Sequence, residues 1–180
     1  MDNRLYNRMR TRLNAGYLLV VLALAHAPLH LSGLLLVLAG ESLRTWSAGI
    51  LQKGRTLTTG GPYRFTRNPL YLGSLLTAAG YALAIGNYWL LLAMLTGFLP
   101  LYHGMVKREE RELMSSYGET YRRYMEAVPR YLSPRCSPKS IPPGSASFSW
   151  RGVIHNREHA TWLALAVFTA LLVARSLLLR

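Results

Sequence analysis

The chain has 180 residues, of which 51% are hydrophobic and 16% charged, with a formal net charge of +13. So low a charged fraction, against roughly 25% in soluble domains, excludes an ordinary soluble globular protein. The basic residues flank apolar blocks, where anionic headgroups would meet them, so no nucleic-acid partner is expected; the one cysteine, Cys136, excludes an intrachain disulfide.

In chain order, residues 1–12 carry Arg4, Arg8, Arg10 and Arg12 against a single Asp2. An apolar block follows, with Ala25-His26-Ala27 resembling a signal-peptidase site. Pro28 after it suits an extended protease-bound strand poorly, and hydrophobicity resumes at Leu31. The pattern predicts a helical hairpin, with spans near 13–28 and 32–51 and a turn at Pro28-Leu29-His30. A polar stretch from Gln52 to Asn68 holds Lys53, Arg55, Arg64, Arg67 and the breaker Gly60-Gly61-Pro62.

A third span is predicted from Leu70 to Ile85, a turn at Gly86-Asn87, and a fourth span from Tyr88 to Val106. Gly73, Thr77 and Gly80 share one side of the third helix, a small-residue face for close packing. From Lys107 the helix becomes charged, with a break expected at Gly118 and a further piece from Glu119 to Val128. There Tyr117, Tyr121, Tyr124 and Val128 recur at helical spacing, which suits either the membrane interface or packing onto the helix ends. Residues 133–149 read as a linker, and Trp162 to Leu179 as a fifth span with Arg175 snorkelling. The run 151–159 before it reads as a solvated helix start with flanking cations.

The expected fold is all-α and integral to the membrane: about five transmembrane helices in short hairpins, with cytoplasmic interfacial helices and loops around the site. Three segments follow: 1–31 with the first span, 32–132 as the core, and 133–180 as linker and last span. The basic N-terminus, the 52–68 loop and the 107–157 region all belong in the cytoplasm by the positive-inside rule.

Two polar pieces carry chemistry. In Gly60-Gly61-Pro62-Tyr63-Arg64-Phe65-Thr66-Arg67-Asn68-Pro69-Leu70-Tyr71-Leu72-Gly73, Pro69 suits the first turn of a helix and Asn68 its cap. The free amides of that turn suit a carboxylate, although a well-made helix start among lipid-gripping arginines accounts for the same residues. The second piece is Glu109-Glu110. Adjacent helical residues point about 100° apart, so the two carboxylates face different ways, and Glu110 shares a face with His103. Ion pairing with nearby arginines is the plainer account of both.

Together the pieces resemble the isoprenylcysteine carboxyl methyltransferase family and its phospholipid methyltransferase relatives. Those enzymes share Gly-Pro-Tyr-Arg, then Arg-His-Pro-x-Tyr-x-Gly, then a Glu-Glu pair after a helical hairpin. The matching residues here are Gly61-Pro62-Tyr63-Arg64, Arg67-Asn68-Pro69-Leu70-Tyr71-Leu72-Gly73 and Glu109-Glu110, with Tyr117-Gly118, Tyr121, Tyr124 and Val128-Pro129-Arg130 behind them. Asn68 departs from the pattern: it stands where many members have histidine, and it hydrogen-bonds but does not titrate near neutral pH.

The resemblance implies S-adenosyl-L-methionine as cofactor, no metal, and a lipophilic or prenylated acceptor within membrane lipids. It implies that Tyr63, Asn68 and the helix start at Pro69 bind the cofactor's amino-acid end. Glu109 or Glu110 would take its ammonium or ribose, and Tyr71 and His103 its adenine, with Leu72 and Gly73 completing the motif. Arg67 and Arg130, with Glu110, are the expected catalytic set, the arginines holding a substrate carboxylate or phosphate. Carboxyl O-methylation is the first expectation and phospholipid N-methylation the second. An NADPH-using sterol-reductase-like enzyme and a non-catalytic membrane scaffold are the readings from other classes.

Overall fold

The computed structural model describes residues 3–26, 28–52, 56–132 and 147–179, the side chains of residues 3–11 and 13 excepted. Ala27, Lys53, Arg55, Cys136, most of the 133–149 linker and the side chains of Arg4, Arg8 and Arg10 lie outside the described residues. Regular structure among the described residues is entirely helical: α1 (Asn3–Leu24), α2 (Leu31–Ile50), a 3-10 turn (Gly61–Arg64), α3 (Pro69–Ala84), α4 (Tyr88–Ala127), α5 (Trp150–His155) and α6 (Glu158–Leu178). The all-α expectation agrees with this.

The first helix differs from its expected limits. It begins in the basic segment at Asn3 and stops at Leu24, ahead of Pro28, whose ring disfavours helix in the residue before it. The turn that follows is tied to the end of α3, where His30 N donates to Ala84 O at 2.8 Å.

The small-residue face of α3 packs as expected, onto α2. A Cβ on Gly73 would stand 2.7 Å from the Gly40 carbonyl oxygen, and one on Gly80 would stand 2.8 Å from that of Gly33. Neither gap admits a methyl group, so these glycines set the closeness of the two backbones. Tyr17 and Val21 of α1, Val37 of α2, Tyr81 of α3, Met94 of α4 and Leu172 of α6 then join in one apolar core.

By length and composition, α4 and α6 suffice to cross a membrane, whereas the apolar part of α1 (Asn14–Leu24) and α3 are shorter. Helix α2 has 20 residues but interrupts its apolar run with Glu41 and Arg44. The 40 residues of α4 would extend about 60 Å at 1.5 Å per residue, twice the roughly 30 Å hydrocarbon core. Its charged half from Lys107 onward therefore projects beyond any bilayer its apolar half crosses.

At Gly118 α4 is interrupted, as the sequence suggested: two helical pieces meet there across a kink. Gly118 takes φ 51° and ψ −124°, a conformation that costs glycine little. Beyond the kink, Tyr121, Tyr124 and Val128 are buried in a second apolar cluster with Leu57, Leu113 and Met114. The aromatic stripe thus packs against the protein.

The bundle has two chemically different ends. One gathers the turns after α1 and α3 with the end of α6. There Arg175 does not snorkel: its Nε and Nη2 donate to the carbonyls of Ala25 and Ala23 at 3.2 and 3.1 Å, a cation at the last carbonyls of α1. The other end gathers the C-terminus of α2, the 3-10 turn, the start of α3 and α5.

The segment 151–159 is a solvated start only in part: Arg151, His155, Arg157 and His159 are exposed, but other residues turn inward. Val153 and Glu158 are buried, and Asn156 Nδ2 donates to Ala48 O at 2.8 Å and Leu51 O at 3.2 Å. These bonds satisfy carbonyls at the C-terminus of α2 that its own helix leaves unpaired.

Candidate active site

Three elements converge at the polar end. The 3-10 turn needs Gly61 at φ 53° to swing the chain under α2. Pro62 and Tyr63 are buried by that turn, and the Tyr124 hydroxyl fixes it by donating to Tyr63 O at 2.6 Å.

The chain then runs alongside residues 129–130. Arg67 N donates to Pro129 O at 3.0 Å, and the Thr66 hydroxyl donates to Arg130 O at 3.0 Å. Asn68 Nδ2 donates to the same carbonyl at 3.1 Å. This corrects the expected role of Asn68. It stands at the N-cap position of α3 but makes no side-chain cap bond, because its amide is spent tying the α3 start to the segment after α4. Pro69 still opens the helix, as expected.

These ties bring together the three residues expected to be catalytic. Glu110 reaches inward from α4 with its side chain 7% exposed. Arg130 forks onto it: Nε lies 3.1 and 3.0 Å from the two carboxylate oxygens, and Nη2 donates to Oε2 at 2.6 Å. Arg67, its side chain 9% exposed, places Nη1 3.3 Å from Glu110 Oε1, an ion-pair distance without hydrogen-bond alignment.

Two guanidinium groups share one carboxylate, so the trio carries a net positive charge. Glu110 raises the basicity of Arg130 by accepting its hydrogen bonds. Burial pushes the Tyr121 phenol up to about 12, with the Glu110 charge acting the same way and Arg67 opposing it. Burial first, then the Glu109 charge, likewise pushes up the Tyr63 phenol.

Among the described residues, several buried polar atoms at this end make no hydrogen bond. Tyr63 Oη and Arg67 Nε are buried with no hydrogen-bond partner, and an unmade buried bond costs about 1–3 kcal/mol. Both belong to the stretch that leads into the Pro69 helix start, and free amides at such a start favour an anion. A carboxylate, such as S-adenosylmethionine would bring, fits this donor set.

The remaining expected residues are spread around that centre. Glu109 is exposed, on a different face from Glu110 as the helical period requires. His103 Nδ1 lies 3.1 Å from the Tyr131 hydroxyl. Tyr71 packs edge-on to Tyr102 with centroids 5.4 Å apart, so Tyr71 and His103 meet neighbouring positions of α4. Leu72 is half-buried. Gly73 faces α2, where an added Cβ would strike Arg44 Cγ at 2.6 Å; its place in the motif is accounted for by helix packing.

Comparison with known proteins places this arrangement in a family. A family model described as phospholipid methyltransferase matches residues 20–120, which includes α3, Arg67 and Glu110. The chain belongs to the phospholipid methyltransferase family. Among curated relatives, a protein-S-isoprenylcysteine O-methyltransferase of Schizosaccharomyces pombe is 30% identical over 94 residues, 52% of this chain and 40% of that protein. The cobalt-zinc-cadmium resistance protein CzcN of Cupriavidus metallidurans is 31% identical over 96 residues, covering 52% of this chain and 44% of its own. An uncharacterized protein of Haemophilus influenzae is 35% identical over 63 residues, all of its length and 35% of this chain. The chain thus spans less than half the length of the first two relatives. No solved structure matches it. Arg130 and the whole of α5 and α6 lie beyond the matched residues of the family model.

Sequence reasoning passed over several residues of this end. Thr66 and Tyr124 hold the loop through backbone carbonyls, and such bonds leave no periodic signal. Glu41 and Arg44 did leave one, as ionisable residues inside an apolar block, which mark a site by default.

Proposed function

We propose that the protein is an S-adenosylmethionine-dependent methyltransferase of the membrane, acting on a lipophilic acceptor at the cytoplasmic interface. The observation that carries this reading is the Arg67–Glu110–Arg130 trio beside two unpartnered donors, Tyr63 Oη and Arg67 Nε. Five spans with the N-terminus and the site in the cytoplasm complete the reading, supported by the meeting of the 56–68 loop, the segment after α4, and α5 at the end of the bundle that holds the C-terminus of α2.

Bound S-adenosylmethionine supplies an electrophilic methyl group on a sulfonium. Tyr63, Arg67 and the Pro69 helix start hold its carboxylate. Glu109 or Glu110 takes the ammonium or ribose, and Tyr71 with His103 lines the adenine side. Glu110 acts by keeping Arg67 and Arg130 in place, and their surplus positive charge orients an anionic group of the acceptor. Alignment of acceptor and methyl donor then lowers the barrier. A carboxylate acceptor attacks without a general base, and Asn68, which does not titrate, suits such a reaction. The cofactor enters from the cytoplasm and the acceptor laterally from the lipid.

Carboxyl O-methylation of an isoprenylcysteine-like lipid is the first assignment, supported by the likeness to the Schizosaccharomyces pombe protein-S-isoprenylcysteine O-methyltransferase. Methylation of a phospholipid amine is the second, supported by the description of the matching family. Transfer of labelled methyl from S-adenosylmethionine to a farnesylcysteine analogue and to phosphatidylethanolamine, both in vesicles, separates them. Base-labile product on the farnesylcysteine analogue is expected; label confined to phosphatidylethanolamine would overturn the first assignment, and label on neither would count against the activity.

A further inference from the structure

A second buried ionic cluster lies inside the bundle, at the junction of α2, α3 and α6. Glu158, 4% exposed, receives a forked pair from Arg44, with Nε to Oε1 at 2.7 Å and Nη2 to Oε2 at 3.0 Å. The third nitrogen, Nη1, donates to the Ser74 hydroxyl. Ser74 in turn donates to Leu70 O at 3.0 Å, in the first turn of α3. An unbroken chain of hydrogen bonds, charge-assisted as far as Ser74, therefore joins α6 to the first turn of α3. The Arg44 stem also fills the space over Gly73, so the same side chain sets the separation of α2 and α3 there.

Forked pairs of this kind fix geometry as well as adding energy. Desolvating two charges is costly and yields little net stability, so a stability role alone does not account for the cluster. Glu158 also lies outside residues 20–120, the part that matches the family model. The same C-terminal segment grips the end of α2 through Asn156 and through Ser149 N, which donates to Gly49 O at 2.9 Å.

We infer that Glu158 and Arg44 are positioning residues for the cofactor site: through Ser74 they set the height and rotation of the α3 start, which makes the C-terminal helix pair a working part of that site. This inference rests on the cofactor reading above. Glu41 makes the test practicable. Its Oε1 lies 3.4 Å from Arg44 Nε and accepts from Thr77 at 3.0 Å. Removal of Glu158 thus leaves Arg44 with a carboxylate beside it.

The test measures binding of S-adenosylhomocysteine by the purified full chain and by Glu158→Ala, Glu158→Gln, Ser74→Ala and Arg175→Ala. Arg175→Ala removes bonds at the opposite end of the bundle and reports simple destabilisation. Glu158→Ala is expected to weaken binding about tenfold, the scale of a typical coupling between linked sites. Ser74→Ala should act in the same direction, and Glu158→Gln, which keeps hydrogen-bonding groups facing Arg44, should fall between. Arg175→Ala is expected to lower the melting temperature and leave the Kd unchanged. Wild-type affinity in both Glu158→Ala and Ser74→Ala, with the proteins folded, would overturn the inference and leave the cofactor reading intact. Failure of the wild-type protein to bind would overturn both.

Discussion

Glu110 shows how burial decides a residue's role. In the sequence it is one half of a Glu-Glu pair, and the helical period separates it from Glu109 without saying which carboxylate turns inward. The structure buries Glu110 between Arg67 and Arg130 and leaves Glu109 exposed. Tyr121 belongs to the same group and yields a pH prediction. Its phenol is raised to about 12, chiefly by burial, against about 10 in an unfolded chain. The folded state therefore keeps this proton after the unfolded state has lost it. Stability from Tyr121 is complete below about pH 10 and is lost as pH rises towards about 12. Tyr121→Phe should make the fall in melting temperature shallower by one proton's worth over that window, as followed by thermal unfolding in detergent. An unchanged slope would mean that Tyr121 ionises freely. Arg67 and Arg130 were legible as candidates. Their shared attachment to Glu110 was not, because it depends on how the segment after Gly118 returns to the Thr66–Asn68 loop.

Among the elements, the α2–α3 pair was the most legible, because small residues at helical spacing name their own packing face. Gly73, Thr77 and Gly80 pointed to a close neighbour, and Gly33 and Gly40 on α2 supply it. Gly73→Ala would push a methyl against Arg44 and the Gly40 carbonyl, and a loss of about 1–3 kcal/mol is expected, as for overpacking of a tight core. Gly97→Ala in α4, where an added Cβ meets nothing within 4 Å, should be neutral or stabilise by up to about 1 kcal/mol. Equal effects of the two substitutions on thermal unfolding would contradict the packing account. The C-terminal elements were the least legible. The charged run at 151–159 has the composition of a solvated helix start, yet Glu158 is drawn inside by Arg44, 114 positions earlier. No local pattern encodes a bond of that range. Gly118 was readable as the break in α4, and its φ of 51° shows why a glycine stands there.

At the scale of the molecule, the described residues form a helical bundle with one end closed by short turns and one polar end. The closed end is held by Arg175 on the α1 carbonyls. The polar end collects the 3-10 turn, the Pro69 helix start, Glu110 and Arg130. Composition and the alternation of apolar blocks with basic segments pointed to a membrane protein, while the ties that build the polar end are long-range and left no such pattern. The central claim is that this end binds S-adenosylmethionine through the donors that Glu110 holds in place. Calorimetric titration of the detergent-purified protein with S-adenosylhomocysteine tests it most directly, with Glu110→Ala and NADPH alongside. The account predicts saturable binding by the wild-type protein, binding weakened at least about tenfold by Glu110→Ala, equivalent to about 1.4 kcal/mol, and none of NADPH. Saturable binding of NADPH, or no binding of S-adenosylhomocysteine by the folded protein, would contradict it.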